Sequence, residues 1–349
     1  MNKKKIFIIA GGIGGITVIL SAAGIILGKD SDEKMNGLSS QYDISPDGAI
    51  AYVNYTDGEP ALYLQSQDGE QADKLAELEN DKVILDPAFS RNGDKLAFIA
   101  TGKDPEQELL STVHLLELPN GETSELFSIS AAVTEIEFSA EDESVFYLSA
   151  EIFDNYSPIA SKQPHDFDLH EFNLATGEHK KHTDLEKYSM QSMKISGEGS
   201  SVFVQMPDDA HVQSAEDIFN DMYQRVFEIP LDDPNGLQVV SDPELERDIY
   251  TFELTPEENE IIYQAISDPE SSGIFQYELF RYNRETKEHE QLTDLKKHAG
   301  DPVIAADRIY FTTDVNFGKG DPEYELYEMN LDGTEARKVQ LMDGQGEGS

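Results

Sequence analysis

The sequence predicts an all-β chain of repeated four-stranded units closed into a ring, set behind one apolar N-terminal segment. Three observations predict it. A turn-and-strand motif returns at intervals of 45, 49, 57, 59 and 50 residues. Each interval then holds the same parts in the same order, a third strand, a small polar turn and a fourth, more polar strand. Lastly, residues 6–27 run for 22 positions without a charge, behind three lysines.

The apolar run comes first. Lys3, Lys4 and Lys5 precede "IFIIAGGIGGITVILSAAGIIL", Ile6 to Leu27. At ~1.5 Å rise per residue it spans about 30 Å of hydrocarbon. Basic residues before it, with Asp30, Asp32 and Glu33 after it, orient the N-terminus toward the cytoplasm. A cleaved signal peptide is the alternative, with Ser21–Ala23 as a small-residue site. Ile25, Ile26 and Leu27 continue the apolar run past that site and favour an anchor. The expected organisation is a basic tip and anchor over 1–28, a linker over 29–37, the repeat domain over 38–342 and a flexible tail over 343–349.

The repeat begins at "ISPDGAIAYV", Ile44 to Val53. Pro46 pre-sets φ and Gly48 tolerates positive φ, so Ser45–Gly48 reads as a tight turn, with the serine hydroxyl able to bond the turn backbone. Ile50–Val53 reads as a buried strand. Counterparts of Ser45 fall at Ser90, Ser139, Ser196 and Thr255, and a shortened copy has Ala305 in that place. The third strands are "ALYLQS", "VHLLEL", "DLHEFNL", "RVFEIPL", "ELFRYN" and "ELYEMNL". Asp68-Gly69, Asn120-Gly121, Thr176-Gly177 and Asp332-Gly333 supply hairpin turns after several of them. "KLAEL", "SELFS", "KKHTD", "LQVVS", "EQLTD" and "RKVQL" close the units. A period of 40 to 60 with four strands, polar only at the last, is that of propeller blades. The fold class is therefore all-β, a six-bladed β-propeller of four-stranded blades behind one N-terminal transmembrane helix. Unrelated hairpins in a β-sandwich are the alternative.

"ISPDGAIAYV…LYLQSQDGEQADKL" resembles the propeller repeat of TolB-type proteins, and is similar to repeats in the propeller domains of prolyl-oligopeptidase-type peptidases. The resemblance runs from about Ser39 to Met342. It is strong in the first two units, while "SRNG", "SAED", "SGEG" and "TPEE" depart from "SPDG". It implies a six-bladed propeller that binds proteins or small ligands, in a ring that often closes without a strand swap. The first unit starts and the sixth ends with complete sets of strands, as that closure requires. No segment reads as a hydrolase domain or as the additional α/β domain of TolB.

Composition narrows the chemistry. The 349 residues include no cysteine, which excludes disulfides, thiolate metal sites and a lipoprotein anchor. Beyond residue 28 the chain carries 23 basic and 69 acidic residues, a net of −46, which repels nucleic acid and anionic lipid. Solubility in an ion-rich exterior accounts for this charge; a cationic partner is the sharper reading. There is no P-loop, Rossmann fingerprint or HExxH, and "GEGSS" at Gly197 lacks the last glycine of a nucleophile elbow. "HKKH", His179–His182, has metal-like spacing but reads as a solvated hairpin. No enzyme and no obligatory cofactor are expected.

Two features remain. In "DVNFGKGDPEYE", Asp314, Asn316, Gly318 and Glu325 fall at positions one, three, five and twelve of a calcium loop, although Lys319 stands where glycine belongs. The alternative is an acidic solvent loop. Insertions at Ala150–Asp168 and Met206–Gln224 offer Phe153, Tyr156, Phe219, Met222 and Tyr223 as partner contacts, with a short helix capped by Ser214 in the second. Decorated connections packed on a blade edge are the alternative. The expectation is a membrane-anchored, extracytoplasmic, non-catalytic module that binds a protein or cell-envelope ligand. A ligand or calcium sensor coupled to the membrane helix is the runner-up.

Overall fold

The structure is a computed structural model. It describes residues 35–105, 108–118, 121–155, 162–212, 222–270 and 273–342. The apolar run Ile6–Leu27 and the helix expected from Ser214 lie outside the described residues. Among the described residues no helix is long and apolar enough to cross a membrane.

The strands fall into units that match the sequence repeat. The first is β1 (Gly37–Ile44), β2 (Ile50–Thr56), β3 (Glu59–Gln65) and β4 (Ala72–Glu77). The second is β5 (Lys82–Phe89), β6 (Lys95–Gly102), β7 (Ser111–Glu117) and β8 (Glu122–Ile129), and the third β9 (Ala132–Phe138), β10 (Ser144–Asn155), β11 (Lys162–Asn173) and β12 (His179–Lys181). Next come β13 (Gln191–Ile195), β14 (Ser201–Pro207), β15 (Gln224–Pro230) and β16 (Gln238–Val239). The chain ends with β17 (Phe252–Leu254), β18 (Glu260–Ile266), β19 (Tyr277–Asn283) and β20 (His289–Gln291), then β21 (His298–Ala305), β22 (Arg308–Asp314), β23 (Tyr324–Asn330) and β24 (Arg337–Lys338). Each unit is an antiparallel meander, and one parallel pair, Tyr277 with His298, joins the last two into one sheet. This is an all-β, propeller-like fold of four-stranded sheets.

Second strands are buried on both faces because a neighbouring sheet covers each side, so they are continuously apolar. Every residue of β14, "SVFVQMP", is buried, whereas β12 and β20 are wholly exposed. The core is accordingly a set of seams between units. Ile84, Phe98 and Leu116 pack on Val53 and Leu62, and Phe138 and Tyr147 pack on Val83 and Val113. The last seam packs Tyr310, Leu326 and Leu341 against Tyr42, Ile50 and Tyr63, so the ring closes on the first unit. Among the described residues no strand is exchanged there. Gln65 instead clasps the C-terminal segment, donating to the Gln340 carbonyl (3.0 Å) and accepting from the Met342 amide (2.9 Å), and the Tyr52 hydroxyl bonds the Met342 carbonyl.

The anchor residue acts as expected. Its carbonyl accepts the amide three residues on, as Ser45 does from Gly48 (2.9 Å), Ser90 from Gly93 (2.9 Å) and Thr255 from Glu258 (2.7 Å). Its buried hydroxyl accepts an amide of the following strand, Ala49 onto Ser45 (2.8 Å), Lys95 onto Ser90 (2.9 Å) and Ser201 onto Ser196 (3.0 Å). The third turn residue needs positive φ, which explains Gly48 (φ 87) and leaves Asp142 and Glu258 (both φ 56) in the left-handed region. At Ala305 the hydroxyl is lost, and a two-residue turn with Ala306 (φ 48) and Asp307 (φ 60) replaces it.

These turns gather on one face. The Arg91 amide donates to Asp142 Oδ1 (2.8 Å) and the Gly197 amide to Glu258 Oε1 (2.6 Å), each linking turns of adjacent units. Connections between second and third strands leave by the opposite face, the loop face. There Lys103 Nζ donates to the Gly58 carbonyl (2.8 Å) and Lys187 pairs with Asp209. The described part of the insertion at Ala150–Asp168 is an antiparallel ribbon. It lengthens β10 and β11 to 12 residues each, paired out to Asn155 and Lys162, because its alternating residues continue the ladder.

Candidate functional site

The innermost strands line a channel, and their polar residues stand at fixed offsets from the turn anchor. Four residues before it are Gln41, Asp86, Glu135, Ser192, Thr251 and Asp301. Two residues before it are Asp43, Ala88, Glu137, Lys194, Glu253 and Val303.

The tier nearer the loop face stitches each unit to the next. Gln41 Oε1 accepts the Asp86 amide (2.7 Å), Asp86 Oδ2 accepts the Ile136 amide (2.6 Å), and Glu135 accepts the amides of Ser192 and Met193 (both 2.7 Å). Thr251 Oγ1 accepts the Asp301 amide (3.1 Å), and the Tyr42 hydroxyl returns to the Asp301 carbonyl (2.5 Å). Bulges make these amides available. Asp86 (φ 44), Ser192 (φ 53) and Asp301 (φ 52) sit where the pairing with the second strand slips, so their amides point away from the ladder.

The second tier is a charge cluster. Lys194 Nζ lies 3.1 Å from Glu253 Oε2, and Asp43 Oδ2 accepts the Phe89 amide (2.7 Å). Burial pushes the Asp43 carboxyl up to about 6, against that amide and Lys194. Burial raises Glu137 to about 7 and Asp301 to about 6. Burial raises Asp86 and Glu135 as well, with Glu135 adding its repulsion at Asp86. Burial alone would lower Lys194, but Glu253, Glu137 and Asp43 outweigh it and hold the ammonium charged. Arg91 reaches from the second unit to the Ile195 carbonyl of the fourth (2.8 Å). The channel wall is thus acidic, and burial makes its carboxyls hold their protons to higher pH than usual around the Lys194 ammonium.

The sequence-predicted residues lie elsewhere. Asp314 Oδ1 accepts the amides of Asn316 (2.9 Å) and Glu323 (3.0 Å), and Asn316 Nδ2 donates to Glu323 Oε2 (3.0 Å). Glu325 pairs with Thr313 and Asp314 with Tyr324, so Glu325 projects from the other face of the sheet, toward Lys297 (3.4 Å) and Lys338 (3.5 Å). Gly318 (φ 69) turns the loop against Ile274. Asp314, Asn316, Gly318 and Glu325 therefore do not converge as one ligand set, and among the described residues no group of three His, Asp or Glu could hold a metal ion. His179 bonds the Tyr147 hydroxyl (2.9 Å) and His182 bonds Glu171 (2.8 Å), so their spacing serves packing.

Of the expected partner contacts, Tyr156 and Phe219 lie outside the described residues. Phe153 carries the Lys162 ammonium 4.9 Å above its ring on the projecting ribbon, beside Ile152, which is 41% exposed. Met222 and Tyr223 are half-buried, and Tyr223 stacks on Arg225 (4.8 Å). Arg225 is buried and donates to the carbonyls of Gln224, Leu245 and Arg247, tying the segment before β17 to β15. Sequence reasoning missed the channel tiers and this arginine. The tiers had a signal in the repeated offset from the anchor; the arginine had none.

No family model and no curated protein matches the sequence. Solved structures match its fold. TolB from Acinetobacter baumannii superposes with a TM-score of 0.55 at 14% identity, over 78% of this chain and 58% of that one. A prolyl endopeptidase gives 0.55 at 12% identity, over 92% of this chain and 51% of that one. A chain of a nidogen/laminin complex gives 0.55 at 8% identity, over 83% of this chain and 92% of that one. The chain therefore spans little more than half the length of the first two. At these identities the likeness is one of fold, a propeller-like fold shared by TolB and by the propeller domains of prolyl peptidases.

Proposed function

We propose that this chain is a six-bladed propeller, held outside the cytoplasm by its N-terminal membrane helix, that acts as a non-catalytic binding module for a protein or cell-envelope ligand. The observation that carries this is the asymmetry of the two faces. Short, hydroxyl-anchored turns build one face, while the projecting β10–β11 ribbon and the connections around Ile274 and Phe317 build the other. Loops raised on a rigid scaffold are where binding residues concentrate. The channel carboxylates support the same reading, since Asp86 and Glu135 are spent on seam amides. Similarity in fold to a chain of the nidogen/laminin complex adds a protein-binding precedent, and the peptidase resemblance is confined to the propeller.

The test is capture from solubilised membranes on immobilised protein. A ligand held by the wild type and by Glu198→Ser on the turn face, but lost with Ile152→Ser plus Ile274→Ser, is the expected result. Retention by the double variant, or loss with Glu198→Ser, sinks the assignment to the loop face.

A further inference from the structure

The position at which the described chain begins bears on how the domain sits on its anchor. Met35 and Asn36 are fixed at the loop face, where the Met35 carbonyl accepts the Gly58 amide (2.9 Å) and Asn36 Oδ1 accepts the Asp57 amide (2.9 Å). Asp57–Gly58 is the connection between β2 and β3, on the same side as Lys103, with which Gly58 bonds. Gly37 then opens β1, the innermost strand of its unit, whose Gln41 and Asp43 line the channel. The chain thus enters at the loop face, beside the connection between the second and third strands of the first unit. Only residues 28–34 separate Met35 from the apolar run that ends at Leu27. Fully extended, seven residues reach about 25 Å. That is shorter than the width of a domain this size, so the ring has no slack to turn over.

We propose that the loop face, not the turn face, is turned toward the bilayer, so that whatever this face binds is presented at the membrane surface. This rests on the reading of Ile6–Leu27 as a membrane helix. The net charge of the domain keeps it from settling on anionic headgroups, so the tether and not lipid adhesion sets the orientation. Ile152 and Ile274, exposed by 41% and 52%, would then project into the gap beneath the ring.

The chain has no cysteine, so single labelling sites are clean. The full chain is placed in zwitterionic phosphatidylcholine vesicles containing an acceptor-labelled lipid, with a donor at Ile152→Cys or Ile274→Cys on the loop face, or at Glu198→Cys or Glu285→Cys on the turn face. Strands of seven residues separate the two faces by about 23 Å. The expected result is severalfold stronger energy transfer from both loop-face sites, a difference that shrinks when ten Gly-Ser residues are inserted after Asp30. Equal transfer from the two faces, stronger transfer from the turn face, or a difference that survives the insertion overturns the proposal. Flotation of the same samples reads the anchor separately. Protein that does not float with the vesicles refutes the membrane helix, whereas floating protein with equal transfer refutes only the orientation.

Discussion

Two sets of buried carboxylates occupy opposite ends of the sheets, and the protein uses them differently. At the outer ends, Asp168 accepts the Thr183 hydroxyl (2.7 Å) and the Leu185 amide (2.6 Å), and lies 3.0 Å from Lys181. Glu278 repeats the device 110 residues later, accepting the Thr293 hydroxyl (2.5 Å) and the Lys296 amide (2.7 Å). In both, the threonine takes the next amide of the third strand, Leu169 or Leu279 (each 2.9 Å). Around the channel, Glu137 and its neighbours face one another across the axis with one lysine among them. A carboxylate surrounded by donors is a staple; one surrounded by other carboxylates is a proton acceptor.

Breaking a staple has the largest effect. Glu278→Ala strands a buried hydroxyl and an amide, and is expected to cost about 3 kcal/mol. Asp168→Ala is expected to cost a similar amount, read as a drop in denaturation midpoint without a change in slope. A loss under 1 kcal/mol in both would show that the outer devices hold nothing.

The channel gives the next effect, with a definite sign. Asp43, Glu137 and Asp301 have folded-state values above their unfolded ones, so their stabilising contribution is complete below about pH 4 and is lost as pH rises through 6 and 7. Surface acids held low by hydrogen bonds or lysines, such as Asp94 and Asp184, contribute the opposite slope below pH 4. Maximum stability is therefore expected near pH 4, falling by about 2 kcal/mol by pH 8. Glu137→Gln should flatten that fall; an unchanged profile in the variant, or higher stability at pH 8 in the wild type, contradicts the channel account.

Smaller effects sharpen the duplication itself. The turn after the third strand has Gly177 at φ 71 in one copy and Lys287 at φ 62 in the other. Lys287→Gly is expected to stabilise by about 0.5–1 kcal/mol and Gly177→Lys to destabilise by about 1 kcal/mol. Calorimetric melts showing the same sign for both would refute the equivalence. Smallest of all, Asp314→Ala with Glu325→Ala should leave the difference between melts in CaCl₂ and NaCl of matched ionic strength unchanged, because the two carboxylates lie on opposite sheet faces. Loss of a calcium-specific increment would restore the loop as a site.

What was legible follows from what repeats. The hydroxyl at Ser45, Ser90, Ser139, Ser196 and Thr255 serves one function at five turns, so its spacing exposed the units and the polar gradient exposed their strand order. The charges at Asp43, Glu137, Lys194 and Glu253 share one offset from the anchor, with Ala88 and Val303 at that place in the other two units, and each alone reads as a polar break in an apolar strand. Their meaning lies in facing one another across the ring. The bulges at Asp86, Ser192 and Asp301 were hidden because their positive φ is imposed by the seam amides and not by residue type. The loop at Asp314 misled because spacing along a chain does not tell which side of a strand a carboxylate leaves from.

The clasp at Gln65 has a mechanical consequence. Neighbouring units are linked by the chain itself everywhere except between the last and the first, where side chains of Gln65, Tyr42 and Tyr52 bridge the gap. Tension applied to the chain ahead of Met35 passes directly into β1, which borders that gap. Such a pull loads the ring at the joint that, among the described residues, is closed by side chains, and β1 is the strand that would peel first, taking Gln41 and Asp43 out of the channel wall.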